Sequence, residues 1–260
     1  MTRATRADIL RELKLAPLWV HRSAAPSATA PRDGGTSGSE ADVAPPESLR
    51  DVAAREVRTD RVPAAPVDAE ARIVHIANLS FDDFDADVAA CTACRLCQTR
   101  KRAVPGVGDR HADWMFIGEA PGAEEDARGE PFVGQAGRLL DNMLGALGLA
   151  RTERVYIANV LKCRPPNNRT PEPAEAEACQ PYLARQIELV APKIIVALGK
   201  SAATLLLGTD ASIARLRGRV HRYRGVPLVV TYHPAYLLRN LPDKAKAWDD
   251  LLLARRTAAA

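Results

Sequence analysis

Four short apolar runs recur through the second half of the chain, at residues 114–118 (WMFIG), 155–160 (VYIANV), 194–199 (IIVALG) and 228–232 (LVVTY). Each is rich in β-branched or aromatic residues and is bounded by polar or turn-forming ones, so each predicts a strand. The runs are apolar throughout rather than alternating. That pattern suits parallel strands buried on both faces. Helical periodicity fills the intervals at 135–147, 173–190 and 200–207. The alternation predicts an α/β fold: a three-layer α/β/α sandwich around a central four-stranded, mainly parallel sheet.

Upstream the pattern changes twice. Residues 1–22 carry a short amphipathic segment with Ile9, Leu10, Leu13, Leu15, Leu18, Trp19 and Val20. Residues 23–80 are rich in Ala, Pro and Ser, as in AAPSATAPRDGGTSGSEADVAPPE. Such a composition buries too little apolar surface to offset its ordering entropy, so it reads as a disordered linker. The compact domain is expected over 81–260.

Composition narrows the setting. The chain has 260 residues, of which 47% are hydrophobic and 26% charged, with a formal net charge of +4. No apolar run approaches the roughly 20 residues of a membrane span. The N-terminus lacks the apolar core of an export signal. The expectation is a cytoplasmic, nucleoid-associated monomer with reduced thiols, no membrane contact, and a mild basic balance compatible with a nucleic-acid partner.

In an open α/β sheet the ligand sits beyond the carboxyl ends of the strands. The unusual segments of this chain follow its strands. The first run leads into Glu119, Ala120, Pro121 and Gly122, a tight turn that places a carboxylate at a strand tip. A Gly/Pro-rich loop then carries Phe132, a candidate stacking platform for a planar base. Asn159 lies near the end of the second run, where Asn is disfavoured. Its amide offers an acceptor and a donor in one plane, matching the N3–H and O4 edge of a uracil ring and not that of cytosine. His233 follows the fourth run and can donate to an oxygen that gains charge. Tyr236, Leu237, Leu238 and Arg239 come next; apolar side chains beside a base suit a wedge pushed into a duplex. Residues 215–224 (RLRGRVHRYR) hold five arginines, including Arg217 and Arg219. With Lys162, Arg164, Arg169 and Arg239 they form a candidate phosphate-contacting face.

The five cysteines suggest a metal or iron–sulfur centre. Cys91, Cys94, Cys163 and Cys179 read C-x2-C-x68-C-x15-C, and four thiolates satisfy such a centre. Cys97 creates a second, overlapping C-x2-C pair, and spacing does not choose between Cys91/Cys94 and Cys94/Cys97. A zinc-stabilised scaffold using Cys97 is an alternative.

Together these segments resemble the family-4, iron–sulfur branch of the uracil-DNA glycosylases. The matching stretches are CTACRL, GEAPGAEED, GEPFVGQAGRLLD, VYIANVLKCRPP followed by NNRTP, EAEACQP, LRGRVH and YHPAYLLR, in that order over roughly residues 88–251. The resemblance implies a [4Fe–4S] cluster on Cys91, Cys94, Cys163 and Cys179, with Cys97 spare. It implies a uracil pocket built from Glu119, Ala120, Pro121, Phe132, Asn159 and His233, with His233 and Glu119 as the catalytic groups. Residues 81–260 would then be the catalytic domain. Uracil-containing DNA would be its substrate, and hydrolysis of the N-glycosidic bond in base excision repair its activity. Two other readings stand beside it, a glycosylase for another deaminated base and a non-catalytic iron–sulfur DNA-binding module. Repair or replication proteins are candidate partners of the N-terminal tail. A sister group traps DNA covalently through a histidine in a basic insert; here that segment reads RPPNNRTPEP, without a histidine, which implies no trap.

Overall fold

The computed structural model describes residues 69–260. The expected amphipathic segment 1–22 and most of the expected linker 23–80 lie outside the described residues. The linker boundary needs correction, because helix α1 occupies Ala69–Ala77. Its sequence AEARIVHIA buries Ile76 beside Leu79, Phe84, Val88 and Tyr182, enough apolar contact to hold a helix where composition suggested none.

Helix α2 (Phe81–Ala90) is capped by Ser80, whose hydroxyl accepts from the Asp83 amide. After a short 3-10 turn the chain enters the α/β core. In order this comprises β1 (Val107–Gly108), β2 (Trp114–Gly118), α3 (Ala123–Arg128), α4 (Gln135–Ala146), β3 (Val155–Asn159), α5 (Pro173–Val190), β4 (Ile194–Leu198), α6 (Lys200–Leu207), α7 (Ile213–Leu216), β5 (Val220–Tyr223), β6 (Val226–Thr231), α8 (Pro234–Leu237) and α9 (Asp243–Ala258).

The four predicted runs became the four parallel strands at the centre of one sheet, in the order β3-β2-β4-β6. The sheet has six strands rather than four. Short antiparallel strands β1 and β5 close its two edges. Both edges were hidden from pattern reading. Strand β1 is two residues long, and β5 lies inside the arginine run read as a charged surface. Its VHRY joins β6 through a two-residue turn in which Arg224 (φ 46°) and Gly225 (φ 86°) are both left-handed, the backbone a tight hairpin requires.

Alternate residues of each central strand enter opposite faces. Met115, Ile117, Ile195, Ala197, Leu228 and Val230 pack with Leu183 and Ile187 of α5 and Ala203 and Leu206 of α6. Trp114, Phe116, Ile194, Val196 and Val229 pack with Leu140 and Leu144 of α4 and Leu251 and Ala254 of α9. These two cores are the outer contacts of the three layers. The register sets Gly118 opposite Asn159 at the carboxyl edge, so two segments distant in sequence meet there. No helix among the described residues is long and apolar enough to cross a membrane.

Candidate functional site

A cavity of about 490 Å³ opens at the carboxyl edge of the sheet. Glu119, Ala120, Pro121, Phe132, Asn159 and His233 all line it, so the structure brings together the six pocket residues singled out in the sequence. Gly122, Glu125, Ala136, Pro165, Asn168, Arg169, Ala235 and Arg239 complete the lining. Glu125 was visible within GEAPGAEED, and Asn168 and Arg169 within NNRTP, but only the folded chain shows that these side chains share one cavity.

Strand pairing positions the base-reading end. The β2–β3 pairing continues past Asn159: the Val160 amide donates to the Gly118 carbonyl and the Leu161 amide to that of Glu119, each at 3.0 Å. The first-motif turn is thereby held against the end of β3. Asn159 is 2% exposed, and its Oδ1 finds no hydrogen-bond partner among the described residues. A buried, unpaired carbonyl costs about 1–3 kcal/mol, so an acceptor kept this way beside a cavity is poised for a ligand donor. Gly118 makes the arrangement possible. A Cβ there would collide with Asn159 Oδ1 and stand 2.7 Å from the Phe132 ring.

Phe132 is 6% exposed and left-handed, with φ 56°. Its ring lies 5.5 Å from that of His233 at an interplanar angle of 29°. His233 caps α8, and its Nδ1 accepts from the Ala235 amide at 3.1 Å. An amide proton directed at Nδ1 leaves the neutral ring's own proton on Nε2, so Nε2–H is a donor. Burial drives the pKa of His233 down to about 4, with the nearby Glu125 carboxylate opposing the shift. The imidazole is therefore neutral at physiological pH and still a donor.

Three of the expected DNA-contacting side chains are corrected by the structure. Lys162 is 1% exposed; its ammonium donates to the Asn159 carbonyl (2.9 Å) and Gln186 Oε1 (2.6 Å), and burial lowers its pKa to about 8. Arg217 turns inward to Asp250 Oδ2 (3.0 Å) and the Lys246 carbonyl and lies over the Tyr232 ring. Leu237 is 1% exposed and packs with Tyr232 and Ala247. Each serves the interior because a paired or apolar environment was available there. Leu238 is 42% exposed; Arg219 and Arg239 are also exposed, and Arg164 is half-buried with Nε on Asn168 Oδ1 at 2.7 Å. Leu241, three residues beyond Leu238 in the chain, is 52% exposed and was not singled out. Tyr236 is tied to Asp243 at 2.7 Å.

A second, narrower cavity is lined by all five cysteines together with Val88, Arg100, Lys162 and Tyr182. Arg100 donates to Cys163 Sγ at 2.9 Å, and the Lys162 amide to Cys179 Sγ at 3.3 Å. Burial pushes the Cys179 thiol up to about 12 and raises Cys163 and Cys94 as well. Among the described residues no three His, Cys, Asp or Glu side chains converge on a point suited to a single ion. The thiols instead surround a chamber. Ala120, from the first cavity, packs against the buried cluster of Leu96, Leu161, Cys163 and Cys179, so the two sites share a wall.

Comparison with known proteins agrees with this geometry. Residues 105–252 match the family model described as the uracil DNA glycosylase superfamily. The chain is 47% identical over 167 residues to the type-4 uracil-DNA glycosylase of Archaeoglobus fulgidus, covering 61% of this chain and 83% of that one. It is 48% identical over 170 residues to the type-4 enzyme of Sulfurisphaera tokodaii (62% and 77% covered). Against that of Thermotoga maritima it is 48% identical over 161 residues (61% and 83% covered). The chain belongs to the uracil-DNA glycosylase superfamily and, within it, to the type-4 branch.

Proposed function

We propose that this protein removes uracil from DNA by hydrolysing its N-glycosidic bond, leaving an abasic site. The observation that carries the reading is the unpaired Oδ1 of Asn159, held in one cavity with the Phe132 ring and the Nε2–H of His233. A planar base with a ring N–H and a carbonyl on one face fits that set. The high identity to type-4 uracil-DNA glycosylases supports uracil as that base.

The target bond is inaccessible in a stacked duplex, so the nucleotide leaves the helix before reaction. Leu238 fills the vacated space, while Arg239, Arg219 and Arg164 contact phosphates. Phe132 stacks on the extruded base, and Asn159 Oδ1 accepts from its N3–H. Cleavage leaves negative charge on uracil. The His233 Nε2–H donates to uracil O2 as that charge grows, a contribution of about 3–4 kcal/mol, or roughly 10²–10³ in rate. A neutral donor suits this role, since its proton stays on the enzyme. Glu119, at the tip of β2, orients the attacking water or stabilises the cationic sugar.

The cysteine chamber fits a [4Fe–4S] cluster. Its thiols are spread around a cavity rather than focused on one ion, and Arg100 and Lys162 offset the charge of bound thiolates. Cys91, Cys94, Cys163 and Cys179 would hold the cluster, which supplies cross-linking of the loops before β2 and after β3. Base release is a hydrolysis and is carried by the pocket residues alone.

The test uses an oligonucleotide with one uracil, treated with alkali to cut any abasic site, beside thymine and cytosine controls. Uracil-specific cutting that collapses in Asn159→Ala and His233→Ala is expected. Retained DNA binding with no cutting by the brown, iron-loaded protein would instead indicate a binding module.

A further inference from the structure

Phe132 occupies a backbone conformation that a bulky residue does not adopt unaided. Its φ is 56°, in the left-handed region that a side chain with a Cβ disfavours. The loop that carries it is held from two sides. On the α3 side, Glu125 Oε1 accepts from the amides of Val133 (3.1 Å) and Gly134 (3.4 Å). On the other side stands Arg151, in the loop between α4 and β3. Its Nη1 donates to the Pro131 carbonyl at 2.8 Å and its Nη2 to the Phe132 carbonyl at 2.7 Å. The plane of the guanidinium is fixed by Asp141 of α4, whose Oδ1 takes Nε at 3.0 Å and Nη2 at 2.9 Å. The group is only 18% exposed.

The first turn of α4 presses on the same carbonyl. A Cβ at Gly137 would collide with the Phe132 oxygen, so only glycine lets the helix approach this closely. Two successive carbonyls, of Pro131 and Phe132, are thus turned to one side and both satisfied by one planar cation that is itself braced by α4. A lysine cannot reproduce this, since one ammonium cannot span two carbonyls and a carboxylate in a fixed plane.

We infer that Arg151 is a positioning residue for base recognition: it holds the Phe132 carbonyl and thereby keeps the Phe132 ring stacked beside His233, where the base must lie. The inference rests on the proposed stacking role of Phe132. Arg151 does not line the cavity and touches no substrate. It acts through the backbone of the loop.

A double-substitution cycle tests it, with single-turnover cleavage of a uracil oligonucleotide and the inhibition constant of free uracil as readouts. Phe132→Ala, Arg151→Ala and the double variant are compared with the unaltered chain. Arg151→Ala is expected to lower cleavage by about 10–100-fold, as a displacement of about 1 Å at a reacting group does. It is also expected to weaken uracil inhibition, with partial recovery on adding millimolar guanidinium. In the Phe132→Ala background the same change should cost no more than about twofold. An equal loss in both backgrounds overturns the inference and leaves the pocket reading standing. Full activity and unchanged uracil inhibition in Phe132→Ala would sink the stacking role itself, and the inference with it. Should Arg151→Ala lose its fold by circular dichroism, Arg151→Lys carries the same cycle.

Discussion

The two cavities share a wall at Ala120 and are linked through Lys162, yet they are built on opposite plans. The pocket at the strand tips keeps a neutral imidazole, an unpaired amide oxygen and a strained aromatic residue, all supported from outside. The cysteine chamber has thiols with raised pKa and cationic groups at its edge, Arg100 directed at one sulfur and Lys162 beside another. The first suits a neutral planar ligand that becomes an anion during reaction. The second suits a permanently bound group that turns thiols into thiolates. On the proposed reading, catalysis belongs where polar groups are left incomplete, and cross-linking where they are enclosed.

That contrast breaks most sharply by substituting one side at a time. His233→Ala or Asn159→Ala should reduce single-turnover uracil cleavage by about 10²–10³, with melting temperature and iron content close to those of the unaltered protein. A comparable fall in melting temperature would mean that the pocket groups are structural after all. Cys179→Ser should do the reverse in kind. Iron and the absorbance near 400 nm are expected to fall. Stability should drop by about 3 kcal/mol or more, roughly 6–12 °C for a domain of this size.

Arg217 and Arg239 sharpen the same division on the surface. Arg217→Ala leaves the buried Asp250 carboxylate without its cation, holding only neutral donors such as the Gly218 amide, and should cost about 3 kcal/mol in denaturant unfolding. The salt dependence of DNA binding should not change. Arg239→Ala should leave stability alone and lower the log–log salt slope by about 1. The opposite pattern would reassign both residues.

The smallest effect concerns pH. The folded pKa of His233 lies near 4, below the unfolded value near 6.5. Well above 6.5 the ring is neutral in both states and His233 contributes no pH dependence. As pH falls from 6.5 to 4 the unfolded chain takes up a proton that the folded chain refuses, so stability declines across that window. The acid limb of cleavage due to His233 should therefore lie near 4, and the ¹⁵N shifts of the imidazole should titrate there. A limb and a shift midpoint near 6.5 would contradict the buried, neutral donor.

Much of this was legible in the residues themselves. The four apolar runs are the four central strands, and 173–190 and 200–207 are helices α5 and α6 at their full lengths. Apolar runs and caps are local signals, so they survive without tertiary information. Other features were not local. Strand β5 was disguised by its arginines, and the helix at Ala69–Ala77 by the linker-like composition before it. Lys162, Arg217 and Leu237 carried the residue types of a DNA-facing surface. They turned inward because Gln186, Asp250 and the Tyr232 cluster awaited them, partners 24 and 33 residues away for the first two. Arg151 gave no signal, because its importance rests on carbonyls that only a folded loop presents.

Sequence by itself determined the layer architecture, the four central strands with the helices at 135–147, 173–190 and 200–207 between them, and the chemical kinds at each strand tip, since burial on both faces and turn chemistry are written in composition and spacing. The tertiary structure decided which of those groups act together. Register set Gly118 opposite Asn159, crossover brought His233 beside Phe132, and packing chose which cations face outward. Those outcomes depend on contacts between residues far apart in the chain, where burial and pairing outweigh the preference of any single side chain.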